Sequence, residues 1–274
     1  LLAHSVVGLY RKGTGRYLGI VLGAGIIFYY GGMTIFQNGY WRDPVRFYER
    51  TLKFNPESTR LYTNLAGEFL KAGRKEDLIG LLKKAITLDP ENAVAYNNLG
   101  NAYKDMGNID EAITALEKSV KLNPRYAGSY YNLGVIYNDT LKDPARAVAF
   151  LQKAIVVDPA FYRSYHKLSR ILLDQGKNEE AIKLLATAVE VNPDNADIYH
   201  SLAYAYFQSG NIDEAVVNYK KTINLDPRYG EAYKNLSAIY FNRQEYREAI
   251  EYCDKAVAVG FGDQQLLEAL KPYR

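Results

Sequence analysis

Residues 93–124 read AVAYNNLGNAYKDMGNIDEAITALEKSVKLNP, and the reading of this stretch decides the fold. Its first half places Tyr96, Leu99, Ala102 and Tyr103 on one helical face, because residues three and four apart are neighbours on a helix. Gly107 ends that helix, since the position just past a helix often takes a left-handed conformation that Gly adopts at no steric cost. Asn108 and Glu111 form a capping-box-like start to a second helix. Ile113, Leu116 and Val120 supply its apolar stripe. Asn123-Pro124 stops it, because Pro cannot continue a helix and restricts the residue before it. The stretch is a pair of amphipathic helices joined by a tight turn.

The same unit recurs along the chain. Pro56, Pro90, Pro124, Pro159, Pro193 and Pro227 are spaced by 34, 34, 35, 34 and 34 residues, each preceded by Asn or Asp. Alignment on this ladder gives six units: 59–92, 93–126, 127–161, 162–195, 196–229 and 230–263. One slot of the first helix holds Tyr62, Tyr96, Tyr130, Tyr165, Tyr199 and Tyr233. A second holds Leu65, Leu99, Leu133, Leu168, Leu202 and Leu236, followed by the small residues Ala66, Gly100, Gly134, Ser169, Ala203 and Ser237. An aromatic slot follows, with Leu172 as its exception. The second helix repeats Ala112, Ala147, Ala181, Ala215 and Ala249, with Leu78 in the first unit. A single helix pair cannot bury its apolar faces, so stacking of neighbours is required.

These slots closely resemble the tetratricopeptide repeat family, over about 220 of the 274 residues. The resemblance implies an all-α, right-handed superhelix of stacked helix pairs whose first helices line a concave groove. It also explains the count of 25 Tyr as chiefly packing residues. Three departures stand out. The third unit is one residue longer around NDTLKDPAR, which places an altered turn there, with Asp143 as N-cap and Pro144 at the first helical position. Residues 41–58 repeat that device at Asp43-Pro44 and read as a half repeat. Gly260 stands where the Pro is expected, and residues 264–274 read as a C-terminal cap.

The first 43 residues differ in kind. They carry Arg11, Lys12, Arg16 and Arg42 against Asp43, which is the whole net charge of +3; the remainder is balanced. From Tyr17 to Phe36 there are 20 residues with no charge, enough for a helix of about 30 Å, the thickness of the bilayer hydrocarbon. We read 17–37 as a transmembrane helix and 1–16 as its basic flank. A buried soluble helix and a cleaved signal peptide are the alternatives. Gly15, Gly19 and Gly23 share a face that suits close helix packing. The positive-inside rule puts the basic loop in the cytoplasm and the repeats on the other side, with Arg42, Arg46 and Arg50 partly offsetting the bias.

Chemistry-bearing patterns are scarce. A single Cys excludes a disulfide framework and a Cys-based zinc site. No phosphate-loop, zinc-protease or nucleophile-elbow pattern is present. Paired acids such as Glu179-Glu180 stand at helix starts, where the macrodipole favours them. The expectation is no catalytic residue, no metal and no cofactor. The small net charge does not suggest nucleic acid. Cys253, in an aromatic slot, reads as a core residue.

What the resemblance implies about a groove is more specific. Asn64, Asn98, Asn132 and Asn235 occupy one slot, interrupted by Lys167 and Ser201. Similar Asn ladders grip peptide backbone in O-GlcNAc transferase. His166 and His200 share a groove-facing slot. Further groove positions are Asn97, Asn101, Tyr131, Arg163, Arg170, Tyr204 and Lys234. The Lys and Asn that make a carboxylate clamp for chaperone tails are missing: the first unit has Thr63 and Gly67, the second Asn97 and Asn101. The partner implied is a protein or extended peptide held by a membrane-tethered scaffold. A second resemblance concerns Trp41, Arg42 and Asp43 between apolar helix and repeats. It is similar to the end of multi-spanning, lipid-linked-sugar O-mannosyltransferases, whose repeats are periplasmic or lumenal. It implies an acceptor-binding arm at the bacterial inner membrane, without catalytic residues of its own.

Overall fold

A computed structural model describes residues 43–274. The expected membrane span over 17–37, its basic flank and the Gly15/Gly19/Gly23 face lie outside the described residues. Among the described residues no helix is long and apolar enough to cross a membrane. They form fourteen α-helices and no strand. The chain divides into two compact units, Leu1–Asn98 and Leu99–Arg274.

In the first unit, α1 (Pro44–Phe54) begins on Asp43, whose carboxylate accepts the Arg46 N–H at 3.3 Å with Pro44 at the first helical position. This is the pre-organised start expected of Asp-Pro. Next come α2 (Thr59–Lys71) and α3 (Lys75–Leu88), a pair that buries Leu65, Ala66 and Phe69 on one helix and Leu78, Leu82 and Ala85 on the other. The helix α4 (Ala93–Asp105) contains the boundary between the units.

The second unit continues with α5 (Ile109–Leu122), α6 (Ala127–Val135), α7 (Pro144–Val157), α8 (Tyr162–Asp174) and α9 (Asn178–Val191). It ends with α10 (Ala196–Gln208), α11 (Ile212–Leu225), α12 (Gly230–Asn242), α13 (Tyr246–Ala258) and α14 (Gln264–Leu270). The Leu slot is buried at every repeat, and the Ala slot of the second helix has no exposed surface. Gly100 and Gly134 are required where paired helices meet. A Cβ there would stand 2.6 Å from Leu116 Cγ and 2.8 Å from Leu151 Cγ. Cys253 is buried in the last cluster with Tyr240 and Ala249. Burial pushes its thiol pKa up, as for an unreactive core residue.

A left-handed residue closes every turn within a pair among the described residues. A residue at positive φ follows the first helix: Gly73, Gly107, Lys142, Gly176, Gly210 and Gln244. In the third unit the Asp143 N–H reaches six residues back, to Tyr137 O at 2.8 Å; in the other five turns the next N–H donates to a carbonyl five residues back at 2.9 Å, as in Asn108 to Tyr103 and Asn211 to Tyr206. This is the Schellman arrangement, which satisfies carbonyls left over at a helix end. It corrects the expected capping box. Asn108 is the N-cap of α5, but its side chain makes no capping bond. The residue closes the preceding helix, and Asp110 and Glu111 favour the next one through its dipole.

The longer third unit also differs from expectation. Its extra residue is absorbed in the helix, not in the turn. α6 runs into a π-helical turn, Ile136–Thr140, where the Leu141 N–H reaches back to Ile136 O at 3.1 Å. The turn keeps its left-handed residue, Lys142 at φ 54°. Asp143 then caps α7 through the Arg146 N–H at 3.0 Å.

The turns between pairs explain why Asn or Asp precedes Pro. Asp89, Asn123, Asp158 and Asp226 each accept, through Oδ1, the N–H two residues on, at 2.9 to 3.1 Å. The side chain holds the chain in an Asx-turn while Pro blocks further helix. At the last junction α13 ends instead on Gly260 at φ 85°, with the Phe261 N–H on Ala256 O. In α14, Leu270 lies one repeat length beyond Leu236 and is fully buried. The terminal cap is therefore the start of a seventh first helix, in register with the others.

Candidate ligand groove

Four first helices of the second unit, α6, α8, α10 and α12, bring Tyr131, His166, His200 and Lys234 to one register. The repeat length guarantees this alignment. A cavity of about 670 Å³ opens over them. Eight expected groove residues line it: Tyr131, Arg163, His166, Arg170, His200, Tyr204, Lys234 and Asn235.

The polar side chains are tied across repeats. Ser201 O–H donates to its own helix at Asp197 O, 2.7 Å away, so its oxygen is left to accept. His166 Nδ1 stands 2.7 Å from that oxygen and must therefore be the donor. The Tyr229 hydroxyl donates to Asp197 Oδ1 at 3.1 Å. His200 lies against the Tyr229 and Tyr219 rings, with centroids 4.9 and 5.5 Å away. Its Nε2 is 3.4 Å from Asn235 Nδ2 and 3.8 Å from Glu231 Oε2.

Burial governs the charge states. Desolvation lowers the His200 pKa to about 4 against the opposing pull of Glu231, so His200 is neutral at pH 7. His166 shifts the same way for the same reason, reinforced by Arg170 and Lys167 and opposed by Asp197 and Glu231. Burial raises the phenols of Tyr131, Tyr219 and Tyr229, which stay protonated donors. Lys167 is held by both oxygens of Asp139 at 2.6 and 2.7 Å. Arg163, Arg170 and Lys234, by contrast, form no ion pair or hydrogen bond with any described residue.

The Asn ladder is not assembled in this cavity. Asn64 is exposed on α2, and Asn98 is half-buried, accepting from Asn97 Nδ2 at 3.2 Å. Asn97 itself is buried. Asn101 accepts from Lys104 Nζ at 3.2 Å. Asn132 is buried in α6. Of the ladder, only Asn235 lines the opening. The cavity also takes in Tyr162, Leu173, Asp197, Tyr229 and Glu231, which the slot argument overlooks. Arg163, Asp197 and Glu231 share one register, so two of these were open to the same alignment. Tyr229 lies in a turn, where helical periodicity says nothing. Among the described residues no cluster of His, Cys, Asp or Glu could hold a metal ion.

The paired helices, their common turn closure and the shared register of the cavity define a helical-repeat protein. Family models described as TPR repeat match residues 100–139, 170–210 and 203–244, and those described as tetratricopeptide repeat match 81–114, 127–161 and 231–260. The chain belongs to the tetratricopeptide repeat family. A comparison with curated proteins gives no match.

Solved structures support the same fold. PilW, described as a widely conserved type IV pilus biogenesis factor, is 20% identical with a TM-score of 0.64, over 77% of this chain and 98% of its own. PilF of Pseudomonas aeruginosa is 17% identical with a TM-score of 0.64, over 78% and 97%. MamA is 28% identical with a TM-score of 0.50, over 61% and 97%.

Proposed function

We propose that this protein is a non-enzymatic scaffold that binds an extended segment of a partner protein in the groove over α6, α8, α10 and α12. The observation that carries the reading is the cavity of about 670 Å³, lined by aromatic, cationic and hydrogen-bonding side chains from four consecutive repeats. Such a surface offers many modest polar and stacking contacts, as suits a chain laid across repeats. A photo-crosslinker at the exposed position Tyr204 in the full chain tests it. Peptides joined to the groove support the reading; crosslinks no more frequent than from Val217, exposed on α11, would sink it.

The uncharged stretch from Tyr17 to Phe36 supports tethering to a membrane beside the partner, with the repeats outside the cytoplasm. Alkaline extraction of membranes from cells expressing the full chain tests this, with retention expected. Release equal to that of a chain carrying Ile26→Arg and Ile27→Arg would set it aside.

A second reading makes the repeats the acceptor-binding arm of a lipid-linked-sugar transferase. It rests on Trp41-Arg42-Asp43, with Asp43 capping α1 and so joining the motif directly to the repeats. On this reading, segments captured by the groove are ones that carry sugar in the same cell. Capture of unmodified segments alone would count against it.

A further inference from the structure

The groove runs on past the cavity. A second opening, of about 300 Å³, shares Lys234 and Asn235 with the first and continues between α12 and α14. The shared residues make the two consecutive stretches of one surface. This continuity follows from the register of α14, whose Gln265 and Ala269 continue the lines of Glu231 and Asn235.

The two stretches differ in chemistry. On α8, Arg163 and Arg170 stand two turns apart, one turn to either side of His166. Both are exposed and without a described partner. No neighbouring acid forms an ion pair with either arginine. Asp139 is taken by Lys167, and Asp197 accepts from Tyr229. Glu231 lies two first-helices further along, on α12. Asp197 and Glu231 also line the cavity, yet neither forms an ion pair with Arg163 or Arg170, so the α8 wall presents two guanidinium groups with no ion-pair partner among the described residues. The second opening presents Ala238, Phe241, Leu266 and Ala269 around its polar rim, a surface for an apolar side chain.

Resting on the groove reading above, we propose that the partner segment is an extended acidic peptide. Its carboxylates meet Arg163 and Arg170, and an apolar side chain further along enters the opening between α12 and α14. Packed helices are about 8–10 Å apart, and the opening between α12 and α14 lies about two and a half such steps from α8, about 20–25 Å away. Extended chain rises about 3.3 Å per residue, which puts the acidic and apolar residues about six to seven positions apart.

The test is fluorescence anisotropy with the full chain and a labelled Gly/Ser/Thr peptide carrying two adjacent Asp and, about six to seven residues on, one Leu. A peptide with both Asp changed to Asn is the comparison. The Asp peptide is expected to bind about tenfold tighter, with the advantage shrinking as salt rises. The double variant Arg163→Gln/Arg170→Gln should erase the advantage, while Lys118→Gln/Lys121→Gln, removing equal charge from α5, should keep it. Moving Leu next to the Asp pair should weaken binding. Equal binding of the Asp and Asn peptides would overturn the acidic assignment yet leave a peptide-binding groove standing. Failure of both peptides and of a random-peptide library to bind would overturn the groove itself.

Discussion

His166 donates its Nδ1 proton to the Oγ of Ser201 at 2.7 Å, tying α8 to α10 across one repeat junction. The single Ser proton is already committed to Asp197 O. The neutral ring is thereby held in the Nδ1–H tautomer. Ser201→Ala removes the acceptor in a buried position. We expect a loss of about 1 kcal/mol of stability and a mixture of tautomers in the imidazole ¹⁵N shifts. An unchanged tautomer in the variant would show that Ser201 does not set it.

His200 makes folding sensitive to acid. Its folded pKa of about 4 lies below the ordinary 6.5, so the unfolded chain binds the proton more readily. Stability is full above about pH 6.5 and falls as pH drops through the window down to about 4, by up to about 3 kcal/mol. His166 adds to the fall in the same direction. Urea unfolding across this range checks the slope, and an NMR titration locates the midpoint. A midpoint of 6.5 for His200 would contradict its burial among Tyr219, Tyr229 and Asn235.

Gly134→Ala should destabilise by about 1–3 kcal/mol, because the new methyl group would overlap Leu151 Cγ and approach Ala147 O. Gly67→Ala is the opposite case: a Cβ there meets nothing within 4 Å. The helix interior should gain about 0.5–1 kcal/mol from the reduced backbone entropy of the unfolded state. Thermal unfolding of the pair separates steric overlap from helix propensity; the same sign for both would refute the packing argument.

Lys142 and Gln244 stand at φ 54° and 63° where the other repeats use Gly. Replacing either by Gly relieves a conformation that costs an ordinary residue about 1 kcal/mol. We expect Lys142→Gly and Gln244→Gly each to raise the unfolding midpoint. A fall in both would mean that side-chain contacts outweigh the backbone strain.

The helix pairs are legible in the sequence because each is a local device. Leu133, Ala147 and Asp143-Pro144 declare their roles within one or two turns of helix, and the next repeat says the same thing again. The π-helical turn at 136–140 is not legible. One extra residue can be absorbed by the turn or by the helix, and local pattern does not choose between them. The groove is intermediate. Arg163, His166, His200 and Lys234 follow from register, whereas Asn97 and Asn132 share that kind of argument and are buried. Whether a polar residue faces ligand or neighbour depends on how close the next helix comes.

By itself the sequence determines the repeat, its paired helices, their slots and the charge division between an apolar stretch and a balanced remainder. Those properties rest on periodicity, turn chemistry and composition, all of which act over a few residues. Only the tertiary structure decides that His166 bonds Ser201, that Tyr229 takes Asp197 while Arg163 and Arg170 form no ion pair among the described residues, and that Leu270 opens a seventh register. These pairings join residues as far as 35 positions apart, and their geometry is set by how neighbouring repeats stack to bury apolar faces that no repeat can bury alone.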